Sequence, residues 1–141
     1  MKARLGRKYR LSASHRLFTP ALGEDENRAV YGKCANPHGH GHNYVVEVVV
    51  GGEIDPASGM VCDLAELDGC VRREVIDPMD HANLNSLPAF AERVPTTENL
   101  CIEIERRLRQ ALPQRLSLRV RVEETSNNFF EYFEGPISSA S

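Results

Sequence analysis

Three of the five histidines in this chain lie within one short stretch, GKCANPHGHGHNY, which spans residues 32–44. His40 and His42 are two positions apart at the start of a Val-rich strand, and residues i and i+2 of a strand project to the same face. The flanking glycines keep the space around both imidazoles clear. His15, at the end of another expected strand, could supply a third nitrogen. Three histidines leave one position of a tetrahedral zinc open, as a catalytic metal requires.

His38 and Cys34 leave other ligand sets open. His38 shares the i, i+2 register, so His38, His40 and His42 could bind a metal without His15. A thiolate from Cys34 added to three histidines would instead close the zinc shell and make the site structural. The spacing between Cys34 and His40 permits either arrangement. The choice of zinc is an inference from ligand type alone. Imidazole also suits copper, nickel and iron.

Three acidic residues could hold or move protons near such a metal. In DPMDHANLN, Asp80 could orient the neighbouring His81 as a base that deprotonates a thiol, or the pair could be a solvated turn. Glu124 continues an apolar alternation, so it either points to the buried face, where it needs a cationic or amide-like partner, or lies beyond the strand in solvent. Glu98 lies in the first turn of an expected helix, where the helix dipole alone explains an acid.

These residues must be positioned by strands and helices that follow one another in the order β-β-α-α-β-β. This order predicts an α+β domain with a four-stranded antiparallel sheet and two helices on one face. Two long polar segments without expected helices or strands join the elements, and loops of that length are usually functional. The tail from about residue 135 is expected to be disordered. The expected elements are the strands KYRLSASHRL, HNYVVEVVVGG, RLSLRVRVEE and FFEYFE and the helices DLAELDGCVRREV and TTENLCIEIERRLRQAL.

Length and composition restrict the possible functions further. The chain has 141 residues and is expected to form one domain, 1–141. Its net charge of −3 argues against a nucleic-acid partner, since nucleic-acid binders usually carry a basic excess. No apolar run approaches the about 20 residues of a membrane span, and the N-terminus lacks the apolar segment of a secretory signal. The four cysteines are therefore expected to be reduced thiols in a cytoplasmic protein.

Six segments together resemble the 6-pyruvoyl-tetrahydropterin synthase family, from about Arg10 to Phe133. The resemblance implies the T-fold of that family, in which three subunits join their sheets into a barrel and two trimers stack into a hexamer. Active sites in the family lie between subunits, which would also cover the open sheet edges. The segments are SASHRL, GKCANPHGHGHNY, GEIDPASGMVCDLAEL, PMDHANLN, PTTENL and VEETSNN.

The same resemblance assigns roles to individual residues. It implies that a zinc ion is bound by three histidines, which leaves His38 outside the metal shell. It implies that Cys34 is the catalytic cysteine and that its catalytic partners are an Asp-His pair. It further implies that a glutamate holds the pterin ring, with a Thr-Glu pair helping to form the pocket. The zinc ligands are His15, His40 and His42, the catalytic residues are Cys34, Asp80 and His81, and the substrate-binding residues are Glu124, Glu98 and Thr97.

The reaction implied by this family is a lyase reaction of tetrahydrobiopterin biosynthesis. Its substrate is 7,8-dihydroneopterin triphosphate, which loses triphosphate and rearranges to 6-pyruvoyl-tetrahydropterin. A related enzyme of queuosine biosynthesis, 6-carboxy-tetrahydropterin synthase, shares the substrate and releases acetaldehyde. Five residues separate Cys34 from His40, as in the pyruvoyl branch, whereas three are typical of the carboxy branch. A non-catalytic module that binds zinc or a pterin on the same fold is the third hypothesis.

Overall fold

Two long strands form the centre of the sheet. In this computed structural model, which describes residues 1–132, the strands are β1 (Lys2–His15), β2 (His40–Glu53), β3 (Ala82–Asn83), β4 (Ser117–Thr125) and β5 (Asn128–Glu131). β1 and β2 pair antiparallel along their whole length, from Lys2 opposite Glu53 to His15 opposite His40. The order across the sheet is β3-β1-β2-β4-β5. The ends of the two central strands therefore bring their histidines side by side.

The α+β class is confirmed and the four expected strands pair antiparallel, but the sheet also has a fifth strand that the sequence did not predict. The described part of the sheet has five strands, because the short β3 pairs parallel with Ala13 and Ser14 of β1. A two-residue strand has no alternation to reveal it, and its pairing depends on the surrounding fold. The expected disorder of the tail concerns residues outside the described range.

The first long polar segment contains a helix that the sequence pattern did not predict. α1 spans Glu24–Tyr31 and is followed by a 3-10 turn at Gly32–Ala35. Its only buried residue is Asn27, so it has no apolar stripe that periodicity could detect. The Asn27 amide donates hydrogen bonds to the carbonyl oxygens of Thr19, Leu22 and Gly23, and these bonds hold the segment in place.

The other helices cover one face of the sheet and are capped as the sequence predicts. α2 (Leu64–Val71) begins after Asp63, whose carboxylate accepts hydrogen bonds from two backbone N–H groups. α4 (Thr97–Ala111) begins after Thr96, whose hydroxyl accepts from the Asn99 N–H. The core lies between these helices and the sheet and includes Leu67, Val71, Val75, Leu100, Ile104, Leu108, Val46, Val48, Val50, Val120 and Val122. No helix in residues 1–132 has the length and apolar character that a bilayer span requires.

α2 continues through a π turn at Arg72–Ile76 into a last helical turn, α3 (Asp77–Met79). In a regular α-helix the Glu74 carbonyl would accept from residue 78, but Pro78 has no N–H and its ring would clash with that carbonyl. A wider π turn relieves such a clash. The Glu74 carbonyl instead accepts a hydrogen bond from Arg107 Nη1 of α4 at 3.2 Å. Arg107 thus fixes the end of this helix.

Glu103 of α4 is a buried acid, with only 1% of its surface exposed. Its carboxylate forms ion pairs with Arg93, Arg106 and Arg107 at 3.2, 2.6 and 2.7 Å. Burial alone would raise the pKa of Glu103, but the hydrogen bonds and charges of Arg106 and Arg107 outweigh burial and lower it. The carboxylate is therefore ionised in the folded protein over a wider pH range than in the unfolded chain.

Replacing Glu103 with glutamine is expected to lower the free energy of unfolding at pH 7 by about 1.5–3 kcal/mol, the range for hydrogen bonds to charged groups. Because the folded pKa is below the unfolded value, this stabilisation is present above about pH 4.3 and is lost as the pH falls through the folded pKa. Urea unfolding of the wild type and the variant at pH 7 and pH 3 measures the stability difference at each pH. Glu98→Gln, an exposed position on the same helix, is the control. An equal difference at the two pH values would contradict the prediction.

Candidate metal centre and active site

Four potential metal-binding side chains converge at one end of the sheet within the described residues. They are His15, Cys34, His42 and Glu124, and their ligand atoms all lie within 4.8 Å of one another. His42 Nε2 lies 3.1 Å from His15 Nε2 and 3.1 Å from Glu124 Oε1. The Cys34 sulfur is 3.8 Å from the same nitrogen. We call these four residues the donor group.

Strand alternation and one backbone contact bring the donor group together. His15 ends the buried face of β1, and His42 lies on the same face of β2, the face that the helices cover. Glu124 lies on the corresponding face of β4, where the alternation predicts it. Cys34 comes from the 3-10 turn, and its carbonyl accepts a hydrogen bond from Leu17 N just beyond β1, at 2.6 Å.

A backbone carbonyl fixes the orientation of the His15 ring. His15 is fully buried, and its Nδ1 lies 2.8 Å from the carbonyl oxygen of Pro95. Since a carbonyl can only accept, Nδ1 carries the proton and Nε2 presents its lone pair to the donor group. The Tyr44 hydroxyl is 3.4 Å from the same Nδ1. Such an outer hydrogen bond to a carbonyl is the usual support of a metal-binding histidine.

Burial sets the protonation of the donor group. It lowers the pKa of His15, against the opposing hydrogen bond to Pro95, and it lowers the pKa of His42, against the opposing charge of Glu124. Both imidazoles are therefore neutral at neutral pH and able to bind a metal. Burial raises the pKa of the Cys34 thiol, and the negative charge of Glu124 raises it further. Cys34 thus keeps its proton at neutral pH in the metal-free protein.

The spacing of the imidazole nitrogens fits a zinc ion. Two nitrogens bound to one tetrahedral zinc lie about 3.3 Å apart, close to the 3.1 Å between His15 and His42. His40 is the direct cross-strand partner of His15, and its ring centroid is 4.7 Å from that of His42. It lies beside the donor group and not within it. The role of His40 as a third zinc ligand remains a prediction.

Glu124 is held by a second side chain. Thr97 Oγ1, at the start of α4, donates a hydrogen bond to Glu124 Oε2 at 2.9 Å, and Thr97 is only 3% exposed. One carboxylate oxygen thus faces Thr97 and the other faces His42. Glu98 follows Thr97 but is exposed and lines a separate cavity of about 140 Å³ with Phe130. Within one chain, Glu98 does not join the donor group.

Asp80 and His81 lie at the end of the α2–α3 helix, beside β1. Asp80 Oδ1 accepts a hydrogen bond from Ser12 N at 2.8 Å, and the His81 N–H donates to the Ser12 carbonyl. Asp80 Oδ2 is 3.5 Å from His81 Nε2. The His81 backbone has a φ of 59°, in the left-handed region, and its side chain is 83% exposed. Strained residues of this kind are concentrated at functional sites.

Asp80 and His81 do not reach Cys34 in one chain. Within residues 1–132, neither forms a hydrogen bond or an ion pair with the thiol. His81 and His42 line a common groove of about 310 Å³. One chain therefore assembles the donor group and presents the Asp-His pair separately, on an exposed surface.

Two residues that support the site, Tyr44 and Pro95, are not among the predicted site residues. Tyr44 continues the i, i+2 series of His40 and His42, so the alternation contains the signal for its inward position. Pro95 acts through its backbone carbonyl, and no side-chain pattern reveals that role. Both support His15, which the sequence does identify.

The comparisons with known proteins indicate one family. The family model of 6-pyruvoyl tetrahydropterin synthase (PTPS) matches residues 4–135. The 6-pyruvoyl tetrahydrobiopterin synthase of Poecilia reticulata is 48% identical over 122 residues, which cover 86% of this chain and 83% of that protein. The enzyme of the same name from Homo sapiens is 46% identical over 132 residues, 93% of this chain and 91% of that protein.

A solved structure gives the same result. The structure of Caenorhabditis elegans 6-pyruvoyl tetrahydropterin synthase superposes with a TM-score of 0.88 at 40% sequence identity. The match covers 96% of this chain and 97% of the solved one. Fold, sequence and family model thus agree over nearly the whole chain, which belongs to the 6-pyruvoyl tetrahydropterin synthase family.

Proposed function

We propose that this chain is a zinc-dependent lyase that converts 7,8-dihydroneopterin triphosphate to 6-pyruvoyl-tetrahydropterin with loss of triphosphate. The observation that carries the proposal is the donor group, in which a thiol, two neutral imidazoles and a carboxylate meet within 4.8 Å. The names of the animal relatives support the same activity. The five-residue spacing between Cys34 and His40 also favours the pyruvoyl branch.

Glu124 is the proposed anchor of the pterin ring. A carboxylate accepts two hydrogen bonds from the neighbouring N–H groups of a pterin in a bidentate, charge-assisted arrangement. Thr97 holds one oxygen of that carboxylate, so its orientation is fixed before the substrate binds. We assign Thr97 to the same pocket, and we assign Glu98 to that pocket in the assembled protein, since within one chain it lines a separate cavity.

His15 and His42, with His40 as the third ligand, would hold the zinc ion. The chemistry that zinc supplies when bound is Lewis acidity at the side-chain oxygens of the substrate, which makes the neighbouring carbon-bound protons more acidic. The role of Cys34 would be to accept, as a thiolate, a carbon-bound proton of the substrate side chain. A positive charge close to the thiol offsets the burial and the Glu124 charge that raise its pKa.

Asp80 and His81 would act on the proton held by Cys34. Asp80, fixed by Ser12 N, orients the imidazole of His81, which takes and returns protons during the rearrangement. Because His81 is exposed and does not contact Cys34 in its own chain, we assign it to the site of a neighbouring subunit. The proposed assembly is a homohexamer, built as a dimer of trimers. The outer edge of β1 supports it, because within residues 1–132 that edge is paired only at Ala13 and Ser14, by β3.

A product assay tests the proposal. Zinc-loaded protein incubated anaerobically with 7,8-dihydroneopterin triphosphate is expected to release triphosphate and a pterin that retains all three side-chain carbons. Mass spectrometry of the products identifies it, with Glu124→Gln as a control that should lose substrate binding. A 6-carboxy product with acetaldehyde would assign the protein to the queuosine branch. Substrate binding without turnover would favour the non-catalytic module.

A further inference from the structure

The ion-pair cluster around Glu103 lies apart from the donor group and has more positive charge than neutralisation requires. Oε1 accepts from Arg93 Nη2 and Arg106 Nε, and Oε2 accepts from Arg106 Nη2 and Arg107 Nε. One guanidinium would already compensate a buried carboxylate. The three arginines differ in what else they contact, and those contacts suggest what the cluster does.

Arg93 connects the cluster to the segment that orients His15. It lies two residues before Pro95, and its Nε also donates to the Ala89 carbonyl at 3.4 Å. The Asn99 amide of α4 donates to the Val94 carbonyl at 2.8 Å. These contacts fix the backbone on which the Pro95 carbonyl accepts the hydrogen bond from His15 Nδ1. The Glu103–Arg93 pair therefore contributes, together with Asn99, to the position of that carbonyl.

Arg107 connects the cluster to the segment that presents the Asp-His pair. While Nε donates to Glu103, Nη1 donates to the Glu74 carbonyl that Pro78 leaves without a helical partner. The helix ends five residues later, and Asp80 follows directly. A guanidinium can bridge a carboxylate and a carbonyl at fixed geometry because its N–H groups form a rigid planar fork.

Arg106 connects the cluster to neither segment. Within residues 1–132, its side chain contacts only Gln110, one turn further along α4, besides Glu103, and it is 53% exposed. It carries the same charge and binds the same carboxylate as the other two arginines. Arg106 is therefore the control for lost charge and lost carboxylate hydrogen bonds, since it makes two bonds to Glu103 and the other two arginines make one each.

We propose that Glu103 is a positioning residue for both groups that this chain contributes to candidate active sites, the metal half through Arg93 and, through Arg107, the Asp-His half that the proposed assembly assigns to a neighbouring subunit. This inference rests on the proposed function for its catalytic consequence. The two arms are physically separate, so each can be removed alone. Loss of one arm should affect one half of the site and leave the other unchanged.

The experiment compares Arg93→Gln, Arg107→Gln and Arg106→Gln in the zinc-loaded protein. Three quantities are measured: zinc affinity by chelator competition, amide hydrogen exchange of residues 77–83, and kcat with KM. Arg93→Gln is expected to weaken zinc binding about 10-fold, at the lower end of the 10–100-fold range for outer-shell changes. Arg107→Gln is expected to speed exchange in residues 77–83 and lower kcat, with KM and zinc affinity unchanged. Arg106→Gln should change none of the three.

Two further variants strengthen the test. Glu103→Gln should produce both effects together, and Arg107→Lys should fail to restore slow exchange, since an ammonium is a point charge that cannot span both partners. If Glu103→Gln does not fold, Arg93→Gln and Arg107→Gln, which each remove one arm, still test the inference. The inference is overturned if Arg93→Gln and Arg107→Gln give the same changes as each other or as Arg106→Gln. Zinc affinity and exchange do not depend on turnover, so an inactive wild type would refute the proposed function and leave this test intact.

Discussion

Replacing His42 with alanine is expected to abolish metal retention and, with it, turnover. His42 Nε2 lies closest to the centre of the donor group, 3.1 Å from both His15 Nε2 and Glu124 Oε1. Changes in outer-shell partners already cost 10–100-fold in metal affinity, so loss of an inner ligand should cost about 1,000-fold or more. Zinc content after dialysis, together with the visible absorption of the cobalt-substituted protein, measures the loss.

His38→Ala is the matched control for this variant. His38 is a histidine of the same stretch, it is exposed, and its backbone N–H is held by the Asn36 side chain. It should retain one zinc per chain and full activity. His40→Ala should also release zinc if His40 is the third ligand. A His42→Ala protein that keeps one tightly bound zinc per chain would contradict the proposed metal centre.

Replacing Cys34 with alanine is expected to lower kcat by about 10²–10⁴-fold, the usual contribution of a general acid or base, while zinc is retained. The thiol lies 3.8 Å from His42 Nε2, close enough to be either a ligand or a base beside the metal. The proposed function requires the second role, because a thiolate ligand would occupy the open position. Single-turnover kinetics and zinc content of the same sample separate the two.

Alkylation of Cys34 gives an independent measure of its role. Because its pKa is raised in the metal-free protein, the thiol should react slowly with iodoacetamide at neutral pH and faster as the pH rises. Zinc should speed the reaction at neutral pH if Cys34 is a base beside the metal. Zinc that protects Cys34, together with loss of zinc in Cys34→Ala, would instead indicate a closed structural site and favour the non-catalytic module.

Much of the fold is predictable because its elements carry regular patterns. The alternation of β2 and β4 and the four-residue spacing of α4 correspond to buried faces, and Asp63 and Thr96 cap the helices as predicted. α1 has no such pattern, since Asn27 is its only buried residue. β3 is too short to show one. Both elements are set by contacts that a local pattern does not encode.

In the site, too, some positions are predictable from a regular sequence pattern and others are not. Strand alternation predicts that His15, His42 and Glu124 share a face, and the structure brings them together. The position of Cys34 depends on the path of a loop, so spacing leaves it open. Glu103 and Arg107 are four residues apart on α4, a spacing that is equally typical of exposed ion pairs. Only the packing of the helix end against α4 makes that pair a buried connection.

The left-handed backbone at His81 limits which substitutions can report on its chemistry. Its φ of 59° suits asparagine, aspartate and histidine far better than branched residues, so the backbone restricts this position before any proton moves. A valine there would disturb the chain path and the adjoining β3 pairing, and its inactivity would say nothing about the imidazole. Asparagine keeps the backbone geometry and removes the titrating ring, which makes it the informative replacement. In a library of substitutions at this position, loss of activity would first report which residues tolerate the left-handed backbone, and only then which side chains can transfer protons.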